Sequence, residues 1–393
     1  CLSAVAAGRE KNAGAFLVPR RNLREARSSG EERIFGVSSL REAVNLLRLY
    51  SEGKAVPEVL SPEAGDAEEA LSFDDIAGLD FLKRASEVAA AGRHNVLFFG
   101  PPGSGKTMAA LRIPSILPPL SRKEALEVTR IHSLAGLLPP DSGLLKNRPF
   151  RTPHHSASLE GLIGGGRALQ PGEISLAHCG VLFLDESPEF RRNTIQSLRE
   201  PLEAGRVSLV RAGLRTVFPS DFQLVLAANP CPCGNLGRED KVCLCAQDAV
   251  FRYWRKLGGA LLDRVDIRFP LAPPGIDLVG KDSGMSAAKM KERVFSAVAI
   301  QARRGENQAS LWNSRLSPAQ VRAHCSLSPA LEEILKNAGR KLQLSSRAVV
   351  SVLKVSRTIA DLAGAHTIEK EHLLEAIQYR RYGDGDFLWN AGR

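Results

Sequence analysis

The octet Gly100-Pro101-Pro102-Gly103-Ser104-Gly105-Lys106-Thr107 carries the clearest chemistry in the chain. Its glycines let backbone N–H groups close around phosphate oxygens, where side chains would block the approach. Val96-Leu97-Phe98-Phe99 before it reads as a buried strand, and Met108-Ala109-Ala110-Leu111 after it as a helix. That helix adds its positive N-terminal end to the phosphate site. Lys106 is then expected to reach the β- and γ-phosphates of ATP, and Thr107 to hold Mg²⁺. Glycine- and proline-rich loops also arise without function. The strand before and the helix after set this one apart.

Val181-Leu182-Phe183-Leu184 is a second apolar run, and it ends in Asp185-Glu186. Two acids at a strand end are common where a strand meets solvent. Downstream of a phosphate loop they predict more: Asp185 supports Mg²⁺ and Glu186 polarises the attacking water. A third run, Leu224–Ala228, ends in Asn229-Pro230. By itself this is a turn signal. Placed after the other two, Asn229 is a neutral amide that orients water without adding negative charge. Arg264 lies in Leu261-Leu262-Asp263-Arg264-Val265-Asp266. It reads as an arginine offered to a neighbouring subunit's nucleotide, or as an ion-pair partner of Asp263 or Asp266. Arg347 opens a helix near the C-terminal end and is expected to reach the γ-phosphate in cis.

Four of the seven cysteines cluster as Cys231-x-Cys233, nine residues, then Cys243-x-Cys245. Four thiolates suit tetrahedral Zn²⁺ in a closed structural site, although the C-x-C spacing is tighter than the commoner C-x-x-C. An odd cysteine count with no export signal argues against a disulfide framework and for a cytoplasmic setting. The aromatic and basic stretch Phe251–Lys256 reads either as a nucleic-acid surface or as a helix with its aromatics turned inward.

The elements needed to position these residues are legible. Strands and helices alternate over 71–272, the pattern of a parallel sheet covered on both faces. From about 286 to 382 the pattern is helical, with Ser317-Pro318 and Ser328-Pro329 reading as N-caps followed by proline at the first helical position. Proline, glycine and charge mark linkers at 51–70 and 273–285. Residues 1–50 predict strands at 15–19 and 34–37 and a helix from 38–47, too little to bury a core alone. They read as the end of a domain whose beginning lies outside this chain, which starts at Cys1. The 393 residues are 44% hydrophobic and 24% charged, with a net charge of +10 and a pI near 9.4. That balance favours a polyanion partner. No apolar run approaches the roughly 20 residues that span a bilayer.

In order and spacing, these residues resemble the AAA+ ATPases. The narrower resemblance is to the magnesium-chelatase-like ComM/YifB family. It rests on Arg148-Pro149-Phe150-Arg151-Thr152-Pro153-His154-His155 with Leu162-Ile163-Gly164-Gly165-Gly166. It also rests on Pro171-Gly172-Glu173-Ile174-Ser175-Leu176-Ala177-His178 and Asn229-Pro230-Cys231-Pro232-Cys233-Gly234. Ser187 stands where the family usually has leucine, and Glu200 where it usually has glutamine. The resemblance implies an α/β fold: an AAA+ αβα P-loop core at 71–272 and a C-terminal helical lid at 273–393. Residues 1–50 are then the remnant of an N-terminal Lon-protease-like α/β domain. It also implies a hexameric ring that hydrolyses ATP and moves DNA as a branch-migration helicase. Three other readings stay open: a magnesium-chelatase metal-insertion motor, a MoxR-like protein-remodelling chaperone and a non-catalytic scaffold. The glycine-rich segment 148–180 is expected to form a pore-lining hairpin, with Arg148, Arg151 and Arg167 meeting phosphates. His154 and His155 are expected to have a structural or DNA-contact role rather than to bind metal.

Overall fold

A computed structural model describes residues 1–31, 33–52, 71–76, 78–139, 141–211, 213–238, 240–272, 285–305 and 312–382. Most of both expected linkers lies outside these residues.

The central sheet has five parallel strands. Their spatial order is Ile267–Pro270, Val96–Phe99, Gln223–Ala228, Val181–Leu184 and Phe150–Arg151. The three strands expected from their apolar runs appear at the expected residues, and all three are buried throughout. A strand covered on both faces has no polar side to alternate, which is why continuous apolar runs sufficed to find them. Parallel pairing also puts every strand's C-terminal end at one edge. Phe99, Leu184 and Ala228 therefore deliver the phosphate loop, Asp185-Glu186 and Asn229 to the same rim, where open α/β sheets place their ligands.

Helix Asp80–Gly92 fills one face and is buried along most of its length. Its Ala89-Ala90-Ala91-Gly92 end admits close neighbours. The lid helices Ala287–Arg304 and Ser346–Leu362 pack against it, so core and lid share one apolar cluster that includes Val88, Val294, Val352 and Ile359. Ser317 caps its helix with a full capping box. Ser328 occupies the cap position of the next helix without a side-chain bond, leaving Pro329 as the helix-starting signal.

A second brace joins lid to core. Two guanidinium groups lie over the Trp312 ring, Arg93 at 5.3 Å and Arg148 at 5.5 Å from its centre. Arg148 is buried, pairs with Glu124 at 3.1 Å and donates to the carbonyls of Pro118 and Cys179. The expectation that Arg148 meets a phosphate is therefore corrected: its donors are spent inside the protein. Arg151 makes a two-pronged bond to Glu173, at 2.6 and 2.8 Å. Arg167 alone of the three is exposed, at the turn of a short antiparallel pair joining Gly164–Gly165 to Gln170–Pro171. Glycine is required in that hairpin. A Cβ on Gly172 would stand 2.3 Å from the Gly164 nitrogen.

The N-terminal residues form the expected strands, Phe16–Pro19 and Ile34–Val37, which pair in parallel beside a small apolar cluster. Helix Leu40–Ser51 starts at Ser39, whose hydroxyl accepts from the Glu42 N–H. Among the described residues no helix is long and apolar enough to cross a membrane.

Candidate functional site: a phosphate loop at one sheet edge and two arginines at the other

Gly105 precedes the helix Lys106–Ile116 with a φ of +90°, a left-handed turn that glycine adopts freely. It aims the first helical N–H groups into the loop. Lys106 is buried, and its Nζ donates to the loop's own carbonyls, Gly100 at 2.7 Å and Pro101 at 2.8 Å. Burial lowers its pKa to about 8, against the pull of Asp185 and Glu186. Ser104 Oγ is buried with no partner among the described residues, and nothing stands within 4 Å of a Cβ built on Gly103. An orphaned hydroxyl, an open backbone and an ammonium holding only carbonyls make a cradle that a polyphosphate fits.

Thr107 Oγ1 donates to Asp185 Oδ2 at 2.8 Å. A hydroxyl and a carboxylate in contact at a strand end are the oxygen donors Mg²⁺ takes beside a phosphate. Glu186 follows with φ +47°, an uncommon conformation for a residue with a side chain, and its carboxylate is exposed. Asn229 directly follows the neighbouring strand Gln223–Ala228. Tyr253 and Trp254 are buried and pack inward, whereas Phe251 is exposed. Ser187 is buried and donates to the Ala227 carbonyl, tying the Asp-Glu turn to the asparagine strand.

Sequence reasoning missed three features. His155 Nδ1 stands 3.5 Å from Glu186 Oε2, and the His154 and His155 rings lie 4.1 Å apart. A cavity of about 790 Å³ adjoins the phosphate loop, walled by Gly78, Leu79, Phe269, Leu271 and Tyr382. Leu79 and Leu271 touch Gly105 and Gly100 from this side. The third is a hairpin of Arg206–Arg211 paired with Leu214–Pro219. Val207, Leu209 and Phe218 anchor its base, while Arg206, Arg211 and Arg215 are exposed. Its strand pattern was visible, but nothing in one sequence shows how far a hairpin stands from the body.

Arg264 is not beside its own phosphate loop. The Asn95 amide donates to the Arg264 carbonyl, and Asn95 precedes the strand that ends at the loop. A strand of four residues is roughly 13 Å long. Arg264 pairs with Glu203, not with Asp263 or Asp266. Arg347 pairs with the same Glu203 oxygen, and nearby Ser345 donates to Asp263. The cis expectation for Arg347 is therefore corrected. The lid's attachment carries it to the N-terminal edge of the sheet, opposite Lys106.

All four clustered cysteines come together, with their sulfurs within 4.8 Å of one another. Cys231 Sγ is 3.4 Å from Cys233 Sγ and 3.6 Å from Cys243 Sγ, and the latter two are 3.7 Å apart. Four ligands tetrahedral about zinc at ~2.3 Å stand about 3.8 Å from each other, so the group fits that ion. These distances far exceed a disulfide's.

Comparison with known proteins agrees with this architecture. The profile "Magnesium chelatase, subunit ChlI" matches residues 72–275, and "Magnesium chelatase, subunit ChlI C-terminal" matches 284–380. The competence protein ComM of Haemophilus influenzae is 39% identical over 380 residues, 94% of this chain and 72% of that protein. The YifB protein of Salmonella typhimurium is 42% identical over 335 residues, 84% of this chain and 65% of the relative. The chain thus spans just under two thirds of that relative's length. The magnesium-chelatase 67 kDa subunit of Chlorobaculum parvum is 28% identical over 165 residues, 41% of the chain and 23% of the subunit. The chain belongs to the ComM/YifB family of magnesium-chelatase-like AAA+ ATPases.

Proposed function

We propose that the chain is the motor of an ATP-driven ring that moves along DNA. One observation carries the ring: the phosphate loop and Thr107–Asp185 occupy one edge of the sheet, while Arg264 and Arg347 occupy the other. One subunit cannot bring both to one nucleotide. A neighbour can, with subunits arranged head to tail, and a rotation that closes makes a ring. By family resemblance that ring is a hexamer.

Within one subunit, Lys106 leaves the Gly100 and Pro101 carbonyls to meet the β- and γ-phosphates. Thr107 and Asp185 would hold Mg²⁺, which would supply positive charge against those phosphates. Glu186 accepts a proton from the attacking water, and Asn229 orients it. The cavity beside Leu79 and Leu271 takes the base. Arg264 and Arg347 of the adjacent subunit stabilise charge on the transferring phosphoryl group.

DNA is favoured over a porphyrin or protein substrate by the net charge of +10 and by the arginine-bearing hairpin. Arg206, Arg211 and Arg215, with Arg167 on the shorter hairpin, can follow a phosphate backbone without reading bases. The four cysteines are assigned a structural Zn²⁺. The free cysteines also fit a reducing, cytoplasmic setting. The test is ATPase rate with and without single-stranded, duplex and forked DNA. Stimulation by DNA is expected. No binding at low salt and no stimulation, with response instead to a porphyrin-pathway or protein partner, would leave the ATPase and remove the DNA motor.

A further inference from the structure

The four-cysteine loop touches the phosphate loop. Gly234, next to Cys233, has φ +77°, and a Cβ built on it would stand 2.9 Å from both Cγ and Cδ of Pro102. Only a bare α-carbon fits there. The loop's root is held on the same side. Trp254 Nε1 donates to the Pro230 carbonyl at 3.0 Å, and the Trp254 ring meets Phe99 edge-on at 6.0 Å. Phe99 is the last strand residue before the phosphate loop. Asn229 immediately precedes Pro230. The cysteine loop thus lies between the water-orienting amide and the phosphate cradle.

Little besides the sulfurs orders this loop. Residues 231–246 contain turns but no helix or strand among those described. Cys231 is buried, and its sulfur accepts from the Leu236 N–H at 3.4 Å. Leu236 packs partly against the core, but further on Val242 and Leu244 face outward, 77% and 90% exposed. A loop that buries so little of its own surface depends on cross-links for its shape.

We propose that the zinc held by Cys231, Cys233, Cys243 and Cys245 braces the phosphate loop, through Gly234 against Pro102, so that nucleotide affinity depends on the metal. This rests on the zinc assignment under the proposed function. Gly100, Gly103 and Gly105 give the phosphate loop its freedom, and that freedom costs order when phosphate binds. A wall at Pro102 lowers the cost by limiting where the loop goes. Release of zinc frees Gly234 and removes the wall. Coupling of two binding events is reciprocal, so bound nucleotide must also tighten zinc.

Three measurements on the full chain separate the zinc assignment from the brace. Elemental analysis of protein purified without added metal is expected to give one zinc per chain. No zinc in fresh, reduced, folded protein overturns the assignment and the brace with it. Second, Cys243→Ser/Cys245→Ser protein is expected to lose zinc and to bind a fluorescent ATP analogue, in Mg²⁺, at least tenfold more weakly. Loss of zinc with unchanged affinity and melting temperature overturns the brace alone. Third, zinc transfer from the unaltered protein to a chromogenic chelator is expected to slow several-fold when Mg²⁺ and the ATP analogue saturate the site. This reading needs no variant to fold. Equal rates with and without nucleotide overturn the brace.

Discussion

Arg264 and Arg347 converge on a single atom: their guanidinium groups lie 2.7 and 2.8 Å from Glu203 Oε1. The two arginines come from different parts of the chain, one from the core and one from the lid. Together they hold that carboxyl below its ordinary range. The pair is preassembled on a surface that the same subunit's phosphate loop does not share.

Both arginines should therefore act across the subunit interface. Mixing Arg347→Ala with Lys106→Ala protein is expected to recover part of the ATPase activity lost by each, as is mixing Arg264→Ala with Lys106→Ala. Each mixture creates some interfaces with both groups intact. ATPase measured against mixing ratio, with mixed assembly verified, checks this. A flat response for Arg347 alone would return it to a role within its own subunit.

Glu186→Gln should bind ATP with near-normal affinity and turn it over about 10²- to 10⁴-fold more slowly, the usual loss when a general base is removed. Nucleotide binding and single-turnover hydrolysis separate the two effects. Undiminished turnover would take Glu186 out of the mechanism.

Arg148→Ala should destabilise the chain by ~3 kcal/mol, because it leaves Glu124 partly buried and unpaired and strips one cation from Trp312. Burial works against the Arg148 charge, yet that charge still draws Glu124 below its ordinary value. Denaturant unfolding measures the loss. A stable variant that merely binds DNA poorly would return Arg148 to the phosphate-binding surface.

Removing the exposed hairpin arginines should do the opposite. Arg211→Ala and Arg215→Ala are expected to weaken DNA binding alike on unrelated sequences and to leave folding stability unchanged. Each arginine–phosphate pairing removed should reduce the salt dependence, the slope of log K against log salt, by about one. Titrations at several salt concentrations test it. An unchanged slope would exclude these residues from the DNA-binding surface.

Acid should loosen the core–lid brace at Asp221. Burial pushes its carboxyl up, but Arg93 at 2.9 Å and Arg315 at 2.5 Å outweigh it and hold it well below the ordinary carboxylate range. A carboxyl depressed on folding stabilises above its unfolded value near 3.8, and the stabilisation is lost as pH falls below that. Asp221→Asn is expected to lose about 1–2 kcal/mol near neutral pH, allowing for partial solvent screening, and to flatten the acid limb of the stability curve. Melting temperature across acid pH checks both. An acid limb as steep as in the unaltered chain would assign it to other groups.

The residues proposed to meet phosphate, metal and water could be picked out in the chain because each follows a strand buried on both faces. A buried parallel strand is a continuous apolar run, and its C-terminal end falls at a common rim whatever the rest of the molecule does. Thus the common position of Lys106, Thr107, Asp185, Glu186 and Asn229 at that rim followed from local pattern alone. The four cysteines were readable for a similar reason, since their spacing constrains one loop. Arg148, Arg347 and His155 were not. Arg148 sits in the polar stretch Lys146-Asn147-Arg148 and looks exposed, but Glu124 and the distant Trp312 enclose it. Arg347 opens a helix in either arrangement of the lid, and only the packing of helices 287–304 and 346–362 on helix 80–92 carries it to Glu203 rather than to Lys106. His155 needed the turn after Phe150–Arg151 to fold back toward Glu186. Local periodicity reports which face of an element is buried. It carries no information about which distant element covers that face, and that choice belongs to the tertiary fold.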